Sequence, residues 1–139
     1  MEDDLAGRLV STTRMADIFK WLRSFKGMGD FNAYQLLMNL TYTGLTNFTD
    51  TDTFVVVGIG SRAGLKRCFG PDLSHSQEVD IIRWMQSTQI EHFTRLGVDC
   101  TLGPPGSTHH RMQLCDIEHT LCEIDKVRHG ADLPHMSGC

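Results

Sequence analysis

The sequence predicts an all-α fold, and three observations carry that expectation. Apolar residues recur at helical spacing in segment after segment, and a glycine hairpin joins two of those segments. The one run of strand character, Phe54-Val55-Val56-Val57, has no partner of similar character to pair with. With 139 residues the chain is long enough to bury one core without staples. Residues 1–128 read as a single helical domain and 129–139 as a loose tail.

In chain order, Met15, Ile18, Phe19 and Leu22 mark the first helix. Phe25 to Gln35 then reads Phe-Lys-Gly-Met-Gly-Asp-Phe-Asn-Ala-Tyr-Gln, a Gly-x-Gly turn followed by a small alanine that opens an apolar segment. That is the pattern of a helix-hairpin-helix. Gly27 and Gly29, flanking Met28, admit backbone angles closed to residues with a Cβ. They expose successive N–H groups at the start of the next helix, where the macrodipole favours an anion. A DNA phosphate is the usual anion in this setting; a plain glycine turn between packed helices is the alternative.

From Phe31 to Tyr42 apolar residues lie on nearly all sides, which predicts a central buried helix stopped by Thr43-Gly44. The polar loop Thr46 to Thr53 leads into the run at 54–57, read as an extended connector. Gly58-Ile59-Gly60-Ser61 opens a short helix from Arg62 to Cys68, closed by Gly70-Pro71. A longer helix runs from Ser76 to Leu96 with Val79, Ile82, Met85, Ile90 and Phe93 facing inward. Gly103-Pro104-Pro105-Gly106 is the clearest break, and a last helix spans Met112 to Arg128 with the stripe Leu114, Ile117, Leu121 and Ile124.

Composition excludes several classes. A net charge of −4 argues against a protein that coats nucleic acid nonspecifically. The charge is unevenly spread, however. Arg14, Lys20, Arg23 and Lys26 precede the hairpin against a single acid, Asp17, and Arg62, Lys66 and Arg67 follow the second glycine turn with no acid between Val57 and Gly70. Two basic patches beside glycine turns fit a small phosphate footprint, or else two solvated helix faces. Five cysteines (Cys68, Cys100, Cys115, Cys122 and Cys139) are odd in number and lack Cys-x-x-Cys pairs, so reduced thiols are expected. No stretch is apolar enough to span a bilayer, and Met-Glu-Asp-Asp is unlike a signal peptide. An intracellular protein is expected, nuclear in a eukaryote and cytoplasmic in a phage or bacterial setting. No cofactor motif appears, and the absence of a P-loop argues against kinase activity in this chain alone.

The last helix carries the densest chemistry. Opposite its apolar stripe lie Asp116, His119, Glu123 and Lys126, each a turn from the next. Such a row suits a general acid or base, or the binding of an amine, and equally a face laced with ion pairs. Cys115, His119 and Cys122 also share helical spacing, with His109 and His110 upstream, but zinc sites favour short Cys-x-x-Cys knuckles and no metal is expected.

Three blocks together, Phe25 to Tyr42, Gly58 to Leu65 and Asp116 to Lys126, resemble one family in the family's own order. It is the helical domain of the 5-hydroxymethyluracil DNA kinases and the related α-glutamyl/putrescinyl thymine pyrophosphorylases of hypermodified-DNA phages. The resemblance implies a helical fold related to the helix-hairpin-helix DNA glycosylases. It also implies DNA as partner, with an extruded thymine derivative, and an amine or amino acid that displaces pyrophosphate from the base. It assigns Lys26, Gly27, Met28, Gly29, Tyr34 and Gln35 to a DNA-facing hairpin, and Gly58, Gly60, Ser61 and Arg62 to a second phosphate-binding turn. Asp116, Glu118, His119, Glu123 and Lys126 would form the active site.

Glycosylase activity itself is not expected. Phe31 fills the position of the glycosylase lysine nucleophile, and Val57-Gly58-Ile59 holds no acid to stabilise an oxocarbenium-like transition state. Two functions remain open: a base-modifying transferase that uses His119 and its neighbouring carboxylates, or a non-catalytic DNA-binding module of a larger DNA-modifying or mobile-element protein. The separating feature is whether His119, Glu123 and Arg62 meet in one pocket.

Overall fold

The computed structural model describes residues 5–98 and 111–129. Among them are six helices and no strand: α1 (Leu5–Ser11), α2 (Met15–Arg23), α3 (Asp30–Thr41), α4 (Ile59–Phe69), α5 (His75–Arg95) and α6 (Leu114–His129). The expected break at Gly103-Pro104-Pro105-Gly106, the upstream His109 and His110, and the tail beyond 129 lie outside the described residues. No helix among those described is long and apolar enough to cross a membrane.

Two apolar clusters share the load. In the first, Met15, Ile18 and Leu22 of α2 pack against Ala33, Tyr34, Leu37 and Met38 of α3, with Leu9 from α1 and Cys115 from α6 closing the sides. In the second, Leu65 of α4 and Ile82 of α5 pack around Leu114, Ile117 and Leu121 of α6. The Phe54 to Val57 run is the extended connector between them: Phe54 and Val56 pack on the first cluster, Val57 on the second and Val55 on both. Its β-branched residues fill a seam between helices, so no strand partner is needed.

Several sequence expectations change. Helix α1 is an addition to the expected elements, because its seven residues offer too little periodicity to read, although Leu9 is buried. Helix α3 is buried on one face instead of all round, and Phe31, 63% exposed, and Leu36 face out. In α5, Ile90 is 56% exposed, and its place inside is taken by Gln86 and Gln89. These glutamines tie loops to the helix: Gln86 donates to Asp52 at 2.7 Å, and Gln89 accepts from the Met112 N–H at 2.7 Å and donates to the Met112 carbonyl at 3.0 Å. The helix also starts one residue early, because Ser74 and Gln77 form a capping box. In α6, Ile124 is exposed, while Cys115 and Glu118 are buried beside the stripe where neighbouring elements cover them.

The N-terminus of α2 is capped from a distance. Arg14 at its N-cap offers no acceptor, and the carboxylate of Asp50, from the polar loop, accepts the N–H groups of Met15 at 2.7 Å and Ala16 at 3.2 Å. Arg14 lies 3.9 Å from the same carboxylate. Asp50→Ala is therefore expected to cost about 1–2 kcal/mol in urea unfolding, the upper part of the range for a lost cap, since the freed Met15 N–H is buried and that of Ala16 partly so. A loss below measurement error would mean that water replaces the cap.

Candidate functional site

Arg23 organises the hairpin. Its guanidinium donates to the Met28 carbonyl at 3.0 Å and pairs with Asp30 in the first turn of α3. Gly27 has φ +85°, a conformation that side chains with a Cβ rarely adopt. Gly29 differs from expectation. It is the N-cap of α3 at φ −77° and ψ 171°, ordinary extended backbone, and a Cβ there would meet nothing within 4 Å. Its value to the hairpin is open space at the helix start, with no side chain capping the first N–H groups. Lys26 is exposed beside the turn and Met28 packs against the first cluster.

The second glycine turn repeats this geometry. Gly58 caps α4 at φ −77° and ψ 174°, nearly the angles of Gly29. Here the helix start already holds an anion from within the chain. Glu118, on α6 and only 4% exposed, accepts the Gly58 N–H at 3.1 Å and the Ser61 hydroxyl at 2.6 Å, both on Oε1. The Ser61 hydroxyl also lies 3.1 Å from the Gly58 carbonyl. What brings Glu118 so close is the glycine face of α4: a Cβ on Gly64 would collide with the Leu121 backbone, and one on Gly60 with the Cys122 sulfur.

The two helix starts border one cavity of about 70 Å³. Glu118, Tyr34, Ser61 and Gln35 line it, together with Phe31 and Ile59 from the first turns of α3 and α4. Phe31 and Ile59, 63% and 87% exposed, give the cavity an apolar rim. Tyr34 is 3% exposed and, among the described residues, its buried hydroxyl has no well-formed hydrogen bond, with the Val56 backbone lying beside it. Burial, with the nearby Cys115 and Glu118, pushes this phenol well above its ordinary range, so it stays neutral and keeps its proton.

The remaining candidates lie elsewhere. Arg62 does not line the cavity; its Nε donates to Glu78 Oε1 at 2.7 Å, and His75 Nδ1 lies 3.2 Å from Glu78 Oε2. Asp116 has a structural part: it accepts the Gln113 N–H at 2.8 Å at the start of α6 and the Tyr42 hydroxyl at 2.6 Å. His119 and Lys126 are exposed and flank Glu123, Lys126 as a hydrogen-bonded ion pair and His119 at 4.0 Å. Lys126 holds the Glu123 carboxyl below its usual range, as expected of a solvated pair. His119, Glu123 and Arg62 are thus absent from the lining of this cavity, whereas Glu118, Tyr34, Gln35, Gly58, Gly60 and Ser61 line it together.

No three His, Cys, Asp or Glu side chains among the described residues are placed to hold a metal. Sequence reasoning missed the exposed pair Phe31 and Ile59, and also Glu78 as the partner of Arg62. The latter had a signal, a charge four residues before the inward Ile82 and so on the same face of α5.

The chain matches the family model described as 5-hmdU DNA kinase, helical domain, over residues 1–132. No curated protein and no solved structure matches it.

Proposed function

We propose, from the premise that this chain belongs to the 5-hmdU DNA kinase helical-domain family, that it is a DNA-binding domain engaging a base derived from 5-hydroxymethyluracil. The observation that carries this reading is a cavity flanked by two glycine-capped helix starts and rimmed by exposed Phe31 and Ile59. Apolar side chains at such a rim pack against an unstacked base, while the uncapped N–H groups of α3 and the exposed Lys26 meet the backbone phosphates. The Gly58 turn, filled by Glu118, plays no phosphate-binding part in this reading. It forms the polar wall of the base pocket.

Binding is favoured over amine transfer, because the row of His119, Glu123 and Lys126 is solvent-exposed and ion-paired. A general base for an incoming amine needs a sheltered place beside the reacting carbon.

The test is duplex affinity by fluorescence anisotropy at fixed low salt, with a Gly29→Ala/Lys26→Gln double variant. The conformation and surroundings of Gly29 accept a methyl group, so the variant should stay folded. Loss of one cation and crowding of the α3 start should weaken binding by about tenfold and flatten its salt dependence by roughly one counterion. Unchanged affinity in a folded variant would place the DNA contact elsewhere or remove it altogether.

A further inference from the structure

Two apolar side chains stand where neither packing nor helix formation asks for them. Ile59, 87% exposed, is the most exposed large apolar side chain among the described residues, and Phe31 is 63% exposed. Each lies in the first turn of a glycine-capped helix, and both border the same cavity. A β-branched residue at a solvated helix start adds no burial and little helix propensity. Its glycine neighbours have structural causes, since a Cβ on Gly58 would crowd Glu118 and one on Gly60 would strike Cys122. No such contact accounts for Ile59, which those glycines leave standing as a knob. The cavity behind the pair, about 70 Å³, is less than half of the roughly 150 Å³ that holds a benzene ring. A pyrimidine ring therefore meets it only by an edge. Charge brackets the pair: no acid stands between Val57 and Gly70, and exposed Lys66, seven residues after Ile59, lies two turns along the same face of α4. Exposed Lys26 precedes Phe31 in the hairpin, and Asp30 beside it is paired with Arg23.

We propose that Phe31 and Ile59 form a wedge that enters the duplex at a vacated base position, with Lys26 and Lys66 on the phosphates to either side, so that the domain recognises an opening in the stack independently of which base has left it. The inference rests on the DNA reading above and adds how the opening is held. Apolar side chains of this kind enter between base steps, while cations beside them fix the backbone and carry no sequence information. Filling the vacancy withdraws both side chains from water and gives the flanking bases a new surface to pack on. The opposing cost is the unpairing and unstacking of one base, and it is smallest where the pair is already broken.

Two duplexes of one sequence test this by fluorescence anisotropy with the full 139-residue chain, one with a central thymine paired to adenine and one with a tetrahydrofuran abasic analogue in place of that thymine. The abasic duplex should bind about tenfold more tightly, because no pair is broken to admit the wedge. Both side chains are exposed, so a Phe31→Ser/Ile59→Ser variant should keep the wild-type urea midpoint. It should bind the two duplexes within about twofold of each other, whereas Ile59→Leu, which keeps an apolar knob, should retain the preference. Lys26→Gln should weaken both duplexes alike, since phosphates flank either centre. Equal affinity of the wild-type chain for the two duplexes, or a preference that survives in the folded double-serine variant, overturns the wedge while leaving DNA binding in place. Failure to bind either duplex overturns the DNA reading and this inference with it.

Discussion

Gly64→Ala should destabilise the protein more than any other single methyl addition considered above. Its Cβ would sit 2.8 Å from the Leu121 carbonyl carbon and closer still to the oxygen, and both atoms belong to the α6 backbone. Backbone inside a helix cannot rotate away, so α4 and α6 must separate. The cost should reach or exceed the top of the range for overpacking, about 3 kcal/mol, against a total stability of about 5–15 kcal/mol for a domain of this kind. Gly60→Ala provides the contrast. Its obstacle is the Cys122 side chain, so a Gly60→Ala/Cys122→Ala double variant should recover most of the loss, whereas no side-chain truncation rescues Gly64→Ala. Urea midpoints for these variants decide the matter, and a Gly64→Ala protein with the wild-type midpoint would refute the close approach. The same separation would draw Glu118 away from Gly58 and Ser61 and open the cavity wall that they form.

How far the sequence revealed this arrangement depends on the range of the interaction. Helices α2, α3, α4, α5 and α6 were visible from apolar spacing and glycine stops, because both are local properties. The connector at 54–57 was read correctly for the same reason: no second strand-like run exists. What stayed hidden was pairwise. Spacing placed Asp116, His119, Glu123 and Lys126 on one polar face of α6 but did not show that Glu118, between that face and the stripe, would be covered by α4. Gly60 and Gly64 were the available clue, since two glycines four residues apart permit another helix to approach closely. Likewise Arg62 follows a glycine turn in sequence, which suggested a phosphate, yet its nearest anion is a carboxylate sixteen residues on in α5. Asp50 is the cap of a helix that begins 35 residues before it, a pairing that no local pattern announces.

The fate of Arg62 yields the second large effect. Glu78 is only 1% exposed, and removing Arg62 leaves its carboxylate buried with His75 as its one remaining polar partner among the described residues. Breaking a buried pair from one side costs about 3–5 kcal/mol; because the Arg62 side chain is 41% exposed, Arg62→Ala should cost about 2–3 kcal/mol at neutral pH. The loss should vary with pH in a definite sense. Burial alone pushes the Glu78 carboxyl up, but the hydrogen bonds and charges of Arg62 and His75 outweigh it and hold the carboxyl below its ordinary value of 4.5. A depressed folded value means that wild type gains stability from this group above pH 4.5 and loses it as pH falls through the folded value. Without Arg62, burial dominates and the sign reverses, so the variant gains relative stability on acidification. The gap between the two proteins should therefore be widest near neutrality and close below about pH 4. Arg62→Ala/Glu78→Gln should restore most of the stability and remove the pH dependence, because a neutral amide no longer needs the guanidinium. A gap that stays constant from pH 7 to about pH 4 would show that Arg62 stabilises the fold by packing its stem instead. In the restored double variant duplex affinity should remain within about twofold of wild type, since a guanidinium engaged by Glu78 is not neutralising a phosphate. A tenfold drop would show that the fork leaves Glu78 when DNA arrives.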